Sequence, residues 1–359
     1  MIFANMKLTL LFFVFYMVAA CDAATTTVGV DEDPKDEEET YFSYGEYGGS
    51  SLVDKEDIYN ITYSNDGEQV AFIRQRTPND LSEPIRQLWI ADKDGRNPEF
   101  IAAGPLTIDW SDDDTKIVIT QSLGAGYSFV FILDLEKRTA EQLTGSEDDF
   151  FHSYTTVNPQ WIDGQSKLLF NVWSKAHQQT YDRGVYIYDL NTTESDGVYV
   201  DNLQSAFLGK NSKYFTSFYW IDTSSDIEKS YVIYNFEDNT TQEILPDLPG
   251  SDFKINWTSP NPLGTEIILT IRRDYADQLV LTSSQLENFE QITEFGGHNP
   301  RWRPDGKLVF LRDVHKGDGA HNVPYLYDPA TSEISRLWED LPEFVPEFPP
   351  VSSFNPISI

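Results

Sequence analysis

The sequence predicts an all-β protein, a six-bladed β-propeller with four antiparallel strands per blade, and two repeating features carry that prediction. One block recurs six times: ITYSNDGEQVAFI, IDWSDDDTKIVIT, PQWIDGQSKLLFN, SAFLGKNSKYFTS, INWTSPNPLGTEIILT and PRWRPDGKLVFLR. Each sets an aromatic residue before a polar turn and then a short apolar run. The aromatics are Tyr63, Trp110, Trp161, Phe207, Trp257 and Trp302, at spacings of 47, 51, 46, 50 and 45 residues. A second marker keeps the same phase, a short strand ending in Asp92, Asp134, Asp189, Asn235, Ser283 and Asp328. Two markers sharing one period make coincidence a poor explanation.

The apolar runs are four to six residues long, rich in Val, Ile, Tyr and Phe, and bounded by Asp-Gly, Asn-Asp or Ser-Asn turns. That is strand chemistry. In the first unit the strands are expected near Ile58 to Tyr63, Gln69 to Ile73, Gln87 to Ala91 and Glu99 to Ala102. A sheet this small cannot bury both faces alone, whereas radial stacking lets each sheet cover its neighbours. Residues 52–341 therefore read as one domain. The segment Tyr41 to Gly49 either adds an outer strand to blade 6 or continues the linker before it. The aromatic anchors are expected to pack between blades, and the recurring Asp residues to bond turns rather than to catalyse.

RWRPDGKLVFLR and TYSNDGEQVAFIR, the latter followed by LWIADKDG, resemble the WD-like repeats of TolB-type propellers. The resemblance is close in blades 1, 2 and 6, looser in blade 3, and poorest in blade 4, where Phe207 stands for Trp and Asn211-Ser212 for the Asp-Gly turn. It implies the fold and an extracytoplasmic location. It constrains function little, because propellers host many functions.

The N-terminus supports that location. Met6-Lys7, the apolar run LTLLFFVFYMVAA and small residues before Cys21 have the form of a signal peptide over residues 1–20, too short to prefer a membrane span. Val18-Ala19-Ala20-Cys21 resembles a bacterial lipobox, which would acylate Cys21, the only cysteine in the chain. A single cysteine forms no internal disulfide. Residues 21–51 include DEDPKDEEE and read as an acidic, disordered tether, and residues 342–359 as a Pro-rich tail. The expectation is a lipoprotein exported across the inner membrane and facing the periplasm or cell surface, and a monomer. A net charge of −32 argues against nucleic acid and leaves membrane attachment to the lipid. The four Asn-X-Thr sequons, at Asn60, Asn191, Asn239 and Asn256, are no more than such a composition yields by accident.

Meandering strands put the connections between second and third strands on the same end as those leading into the next blade. The former read as long loops: Arg74 to Gln87, Gln121 to Ser128, Val172 to Gly184, Tyr219 to Ser230, Arg272 to Gln278, and Arg312 to Pro324. Long loops on a rigid scaffold commonly carry binding. These hold ten of the 26 basic residues, balanced by ten acidic ones. All five histidines map to this end, His152 and His298 in connections that enter blades 3 and 6. The candidate binding face comprises Arg74, Arg76, Trp173, His177, Arg183, Trp220, Arg272, Arg273, Tyr275, His298, Arg312, His315 and His321. It would recognise an envelope protein or a ligand with anionic or hydrogen-bonding groups at the channel mouth.

Neither a cofactor nor a metal is expected. HKGDGAH sets His315 and His321 six apart in a Gly-rich stretch, without the i, i+4 spacing of a helical zinc site. Asp112-Asp113-Asp114 lacks the order of an EF-hand loop. Three functional classes compete. A non-enzymatic scaffold needs only a rigid body, a tether and one decorated face. A lyase or hydrolase of acidic oligosaccharides, implied by TolB-like propeller lyases, would use His315, His321, Arg272 and Arg273. A propeller coupled to a serine peptidase is disfavoured, since no G-x-S-x-G elbow occurs and the tail follows blade 6. The sequence favours the scaffold.

Overall fold

A computed structural model of the chain describes residues 40–41, 55–77, 84–122, 128–145, 154–162, 164, 166–174, 183–192, 198–201, 207–208, 214–223, 226–235, 240–244, 254–273, 276–284, 286–293, 296–316 and 319–338. Strand β1 is Thr40–Tyr41. Sheet 1 then holds β2 (Lys55–Tyr63), β3 (Gln69–Thr77), β4 (Ile85–Asp92) and β5 (Glu99–Ala103). Sheet 2 holds β6 (Pro105–Trp110), β7 (Lys116–Ser122), β8 (Ser128–Asp134) and β9 (Thr139–Gln142). Sheet 3 holds β10 (Tyr154–Ile162), β11 (Lys167–Ser174), β12 (Arg183–Asp189) and β13 (Val198–Asp201). Sheet 4 holds β14 (Phe207–Leu208), β15 (Tyr214–Thr223), β16 (Asp226–Asn235) and β17 (Thr240–Ile244). Sheet 5 holds β18 (Lys254–Pro260), β19 (Glu266–Arg273), β20 (Ala276–Ser283) and β21 (Glu290–Gln291). Sheet 6 holds β22 (His298–Trp302), β23 (Leu308–Lys316), β24 (Gly319–Asp328) and β25 (Glu333–Arg336). Five sheets are four-stranded meanders, and the last gains β1 as a fifth strand. All pairings are antiparallel.

Both sequence markers land where their phase requires. Every aromatic anchor lies on the first strand of its sheet, and every late marker closes the third. Alternation along the second strand then joins the sheets. In β3, Ala71 and Ile73 face a cluster with Ile108, Trp110, Ile117 and Ile119 of sheet 2. Val70 and Phe72 point the other way, into a cluster with Val309, Leu311 and Trp338 at the end of the chain. Sheet 2 repeats the pattern, with Val118 and Val130 packing on Trp161, Leu168 and Phe170 of sheet 3. Period-two alternation thus gives sheets 1, 2 and 6 two apolar faces, and stacking buries both.

The anchors clamp neighbouring first strands. Trp110 Nε1 donates to the Thr62 carbonyl of sheet 1 at 3.4 Å, and Trp302 Nε1 to the Ser259 carbonyl of sheet 5 at 2.8 Å. Tyr63 donates to the Lys93 carbonyl at 3.0 Å beneath the Arg303 guanidinium, and burial pushes its hydroxyl up to about 12. These contacts bear out a packing role for Tyr63, Trp110 and Trp302.

At the end where first strands turn into second strands, short turns touch from sheet to sheet. Gly67, Gly264 and Gly306 turn with positive φ, and Asp114 takes the same position with φ of 56°. A non-glycine residue bears strain there. Asp114 repays it as an acceptor for Asn65 N at 2.6 Å, Asn65 Nδ2 at 2.9 Å and Asp66 N at 3.0 Å, all in sheet 1. Asp112 accepts from Gly164 N of sheet 3, and Asp113 from Ser111 and Thr115 within the turn. The acidic triplet is therefore a bracket linking three sheets. Asp114→Ala is expected to lose about 2 kcal/mol in urea unfolding, combining lost charge-assisted bonds with retained backbone strain. Asp114→Asn should recover part of the loss; equal losses in both variants would refute the bracket.

The structure corrects three expectations. The loops Tyr219 to Ser230, Arg272 to Gln278 and Arg312 to Pro324 are mostly paired strand, with Thr223↔Asp226, Arg273↔Ala276 and Lys316↔Gly319 closing their ladders. The predicted bounds followed the apolar run, which marks burial, whereas ladder bonds are made by backbone and continue through polar residues. The strand near residue 41 does not lie on the outer edge of the last sheet, which β25 occupies. Thr40 and Tyr41 pair with His315 and Val314, on the same side of β23 as β22. The last sheet accordingly has more than four strands. The predicted signal peptide, Cys21, most of the tether and the tail over 342–359 lie outside the described residues. Among the described residues, no helix is long and apolar enough to cross a membrane.

Candidate functional site

Register groups the candidate residues at one end. Lys55 pairs with Thr77, Lys254 with Arg272, and Arg273 with Ala276, so the starts of first strands, the ends of second strands and the starts of third strands share that end. His298 opens β22, and His321 sits near the start of β24. The sidedness argument from sequence therefore holds for the described members, although several stand on strands rather than loops.

Arg272 and His298 come together around a cavity of about 380 Å³ between sheets 5 and 6, lined also by Trp257, Thr270, Asp277, Asn299, Asp313 and Asn322. Arg272 grips Asp277 with two bonds, Nε to Oδ1 at 2.8 Å and an Nη2 bond to Oδ2 at 2.9 Å. His298 Nε2 faces Asn322 Oδ1 at 3.3 Å and Asp313 Oδ1 at 3.8 Å. Arg301, from the innermost strand of sheet 6, lays its guanidinium 4.5 Å from the Trp257 ring centre. Enclosure by protein pulls Arg301 down to about 10, against the opposing charge of Asp109 in sheet 2.

Of the other candidates, His321 serves the junction between the last sheet and the first, while Arg74, Arg76 and Arg312 are engaged within their own sheets. His321 Nδ1 lies 3.1 Å from the Glu56 carbonyl and 3.4 Å from Asp57 Oδ1, which also accepts the Asn322 backbone N–H at 3.0 Å. Arg74 is buried and paired with Glu56. Arg312 is buried under the Tyr325 ring at 5.3 Å, and Arg76 is half-buried on β3 opposite Glu56. Described cations at this end thus sit beside carboxylates or on an aromatic ring, and local pairing offsets the basic enrichment counted from sequence. His177 and Tyr275 lie outside the described residues, as do the side chains of Trp173, Arg183, Trp220, Arg273 and His315.

In HKGDGAH, His315 pairs with Ala320 and His321 with Val314, in a hairpin where a Gly-rich loop was expected. Among the described residues, no group of three His, Cys, Asp or Glu side chains could hold a metal. Sequence reasoning missed Asp57 and Asn322. Asn322 directly follows the histidine stretch, and that adjacency was the available signal.

The recurring Asp residues bond turns, as expected. Asp134 Oδ1 accepts the Lys137 backbone N–H at 2.8 Å, and Asp328 Oδ1 that of Ala330 at 3.0 Å. The Lys137 ammonium bond holds the Asp134 carboxyl below its ordinary value, helped by that backbone bond, and the Lys307 ammonium does the same for Asp328. Their lysines are raised in turn. A depressed carboxylate stabilises the fold above its unfolded value near 3.8, and that contribution fades as pH falls through the lower folded value. A raised lysine adds stability at neutral pH that fades above about pH 10.5. Melting curves from pH 6 to pH 2 should therefore show a loss below about pH 4 that is smaller in Asp134→Asn with Asp328→Asn. An identical acid loss in that double variant would show that these pairs do not contribute.

No family model matches the chain, and no curated protein does. Solved structures do. TolB from Acinetobacter baumannii is 14% identical with a TM-score of 0.54, and the match covers 77% of each chain. The β-propeller domain of the Trilobed protease from Pyrococcus furiosus is 13% identical with a TM-score of 0.51, covering 79% of this chain and 84% of that one. The protein is a β-propeller. Pyrococcus horikoshii acylaminoacyl peptidase, 11% identical, gives a TM-score of 0.54 over 79% of this chain and 52% of its own. The chain spans about half the length of the peptidases it matches. At such identities the likeness reaches the fold and stops there.

Proposed function

We propose that this chain is a lipid-anchored, extracytoplasmic propeller of the TolB type, with six blades, serving as a binding scaffold in a bacterial cell envelope. Its body would span residues 52–341, held by acylated Cys21 and the acidic tether. One observation carries the binding reading: the roughly 380 Å³ cavity between two sheets, at the end that the repeat marks as its decorated face. Its walls come from two sheets, so the site exists only when sheets 5 and 6 pack together. The six sheets support the blade count, and the packing of the last on the first supports a closed ring.

The partner is an envelope protein or a small ligand recognised by hydrogen bonds. Arg272→Ala with His298→Ala should reduce capture of envelope components about tenfold while leaving the melting temperature within a few degrees, because neither side chain belongs to the apolar clusters. Unchanged capture would remove this face as the binding site. Failure of a labelled fatty acid to mark the chain at Cys21 would remove the anchor.

A further inference from the structure

We propose that Arg86, stacked on Tyr59 where sheet 1 meets the channel mouth, is a docking point for a carboxylate side chain of a partner polypeptide. This rests on reading that end as the binding face; it adds two residues to the face and names the partner's chemistry.

The first support is how Arg86 is held. Its Nε donates to Gln75 Oε1 at 2.8 Å, its guanidinium lies 5.0 Å from the Tyr59 ring centre, and its carbonyl accepts the Gly104 N–H at 2.9 Å. Both side-chain partners are neutral. Among the described residues Arg86 has no ion pair, and neither of its Nη groups has a hydrogen bond. A guanidinium positioned by uncharged groups keeps its charge and its outer pair of donors for an incoming carboxylate. Arg74 and Arg272, by contrast, already pair with Glu56 and Asp277.

The second support is Tyr59. Ile58 pairs with Arg74 and Asn60 with Ile73, so Tyr59 is the extra residue of a bulge and stands outside the ladder. A bulge redirects its side chain. Tyr59 is 36% exposed between buried Ile58 and Asn60, and of the large apolar side chains described only Tyr59 and Leu263 are exposed. Its carbonyl accepts Asn299 Nδ2 of sheet 6 at 3.2 Å, so the neighbouring sheet fixes the bulge before any partner arrives, which lowers the ordering cost of binding. Tyrosine and arginine are the anchors that dominate protein interfaces. Neither residue lines the cavity between sheets 5 and 6. An open ring encloses a small anion poorly, whereas a polypeptide brings further side chains to cover it.

Local charge agrees. The charged side chains described at this end of sheet 1 are Arg74, Arg76 and Arg86 against Glu56 and Asp57. Glu56 pairs with Arg74 and stands opposite Arg76. Asp57 accepts the Asn322 N–H at 3.0 Å and lies 3.4 Å from His321 Nδ1. It is separated from Arg86 in register by Gln75, a spacing of about 10 Å across two strands. The remaining negative charge of the chain acts from further away, where about 0.15 M salt screens it beyond about 8 Å.

The test is an NMR titration of the full chain in about 0.15 M salt, following the Arg86 Nε–Hε and Tyr59 ring signals. The probes are acetyl-Leu-Glu-Leu-amide, its isostere acetyl-Leu-Gln-Leu-amide, and acetate. The Glu peptide should shift both signals saturably and bind about tenfold more tightly than the Gln peptide or acetate, the scale of a charge-assisted hydrogen bond. Read on Tyr59, Arg86→Gln should weaken the Glu peptide by about tenfold and Arg86→Lys by about threefold, since lysine keeps the charge and loses the fork. Read on Arg86, Tyr59→Leu should weaken it by about threefold. Melting temperatures should stay within a few degrees, because neither side chain belongs to the apolar clusters of sheet 1. No saturable shift, equal binding of the Glu and Gln peptides, or Glu-peptide binding unchanged in Arg86→Gln would overturn the proposal. Acetate binding as tightly as the Glu peptide would make this a small-anion site and overturn the polypeptide partner. If the docking point fails while envelope capture still depends on Arg272 and His298, the binding face stands without it; if both fail, both readings fall.

Discussion

Trp110→Ala is expected to destabilise the protein by about 3–5 kcal/mol, a large part of the roughly 5–15 kcal/mol that holds a typical domain. Trp110 is only 2% exposed and stands in the cluster that joins sheets 1 and 2, against Ile108 and Ile117 of its own sheet and Ala71 and Ile73 of the first. Removing the indole leaves a cavity between two rigid sheets that cannot both close on it, because each is fixed on its far side by another neighbour. Trp110→Phe keeps most of the apolar volume and gives up the 3.4 Å bond to the Thr62 carbonyl, so it should lose about 1–2 kcal/mol. Urea denaturation midpoints of the two variants and the wild type would measure both. A loss below about 1 kcal/mol for the alanine variant would mean that the anchor does not clamp the sheets.

The second large effect is expected where the last sheet meets the first. Trp338, two residues beyond β25, is 8% exposed and sits 4.9 Å from the Phe72 ring, within the cluster formed by Ile58, Val70, Val309 and Leu311. Trp338→Ala should lose about 3–5 kcal/mol. Gly95→Ala attacks the same seam from the other side. Its φ is +78°, and an added Cβ would lie 2.4 Å from Trp338 Nε1, so overpacking and backbone strain together should destabilise by about 2–4 kcal/mol. This junction joins strands far apart in sequence, whereas the other sheets meet neighbours along the chain. Loosening it should raise amide exchange in β2 and β24 well before β11. Uniform exchange across all three strands would show that the seam is not a separate weak point.

The fold was legible because its cause is repetitive. An aromatic on each first strand and a polar stop on each third strand meet the same packing demand at every sheet, so the demand writes itself into the chain at a fixed period. Blade 1 shows the resolution of that signal: the expected segment Ile58 to Tyr63 lies within Lys55–Tyr63, and Glu99 to Ala102 within Glu99–Ala103. Blade 4, where the pattern was weakest, has a first strand of only Phe207–Leu208 among its described residues. Polar strand ends were read as loops because exposed residues pair through their backbone without leaving an apolar pattern.

By itself the sequence determined the all-β repeat, the place of each anchor and the end of the molecule on which Arg272, His298 and His321 fall, since those follow from local alternation and strand order. Tertiary structure decided which of them meet. Asp57 reaches His321 across 264 positions of chain, and Trp257 shares a cavity with Asn322, because separate sheets are brought side by side only when apolar faces are buried. Partners on different sheets bear no fixed spacing to one another, and so a charged residue read alone from the chain looked available when folding had already given it a neighbour.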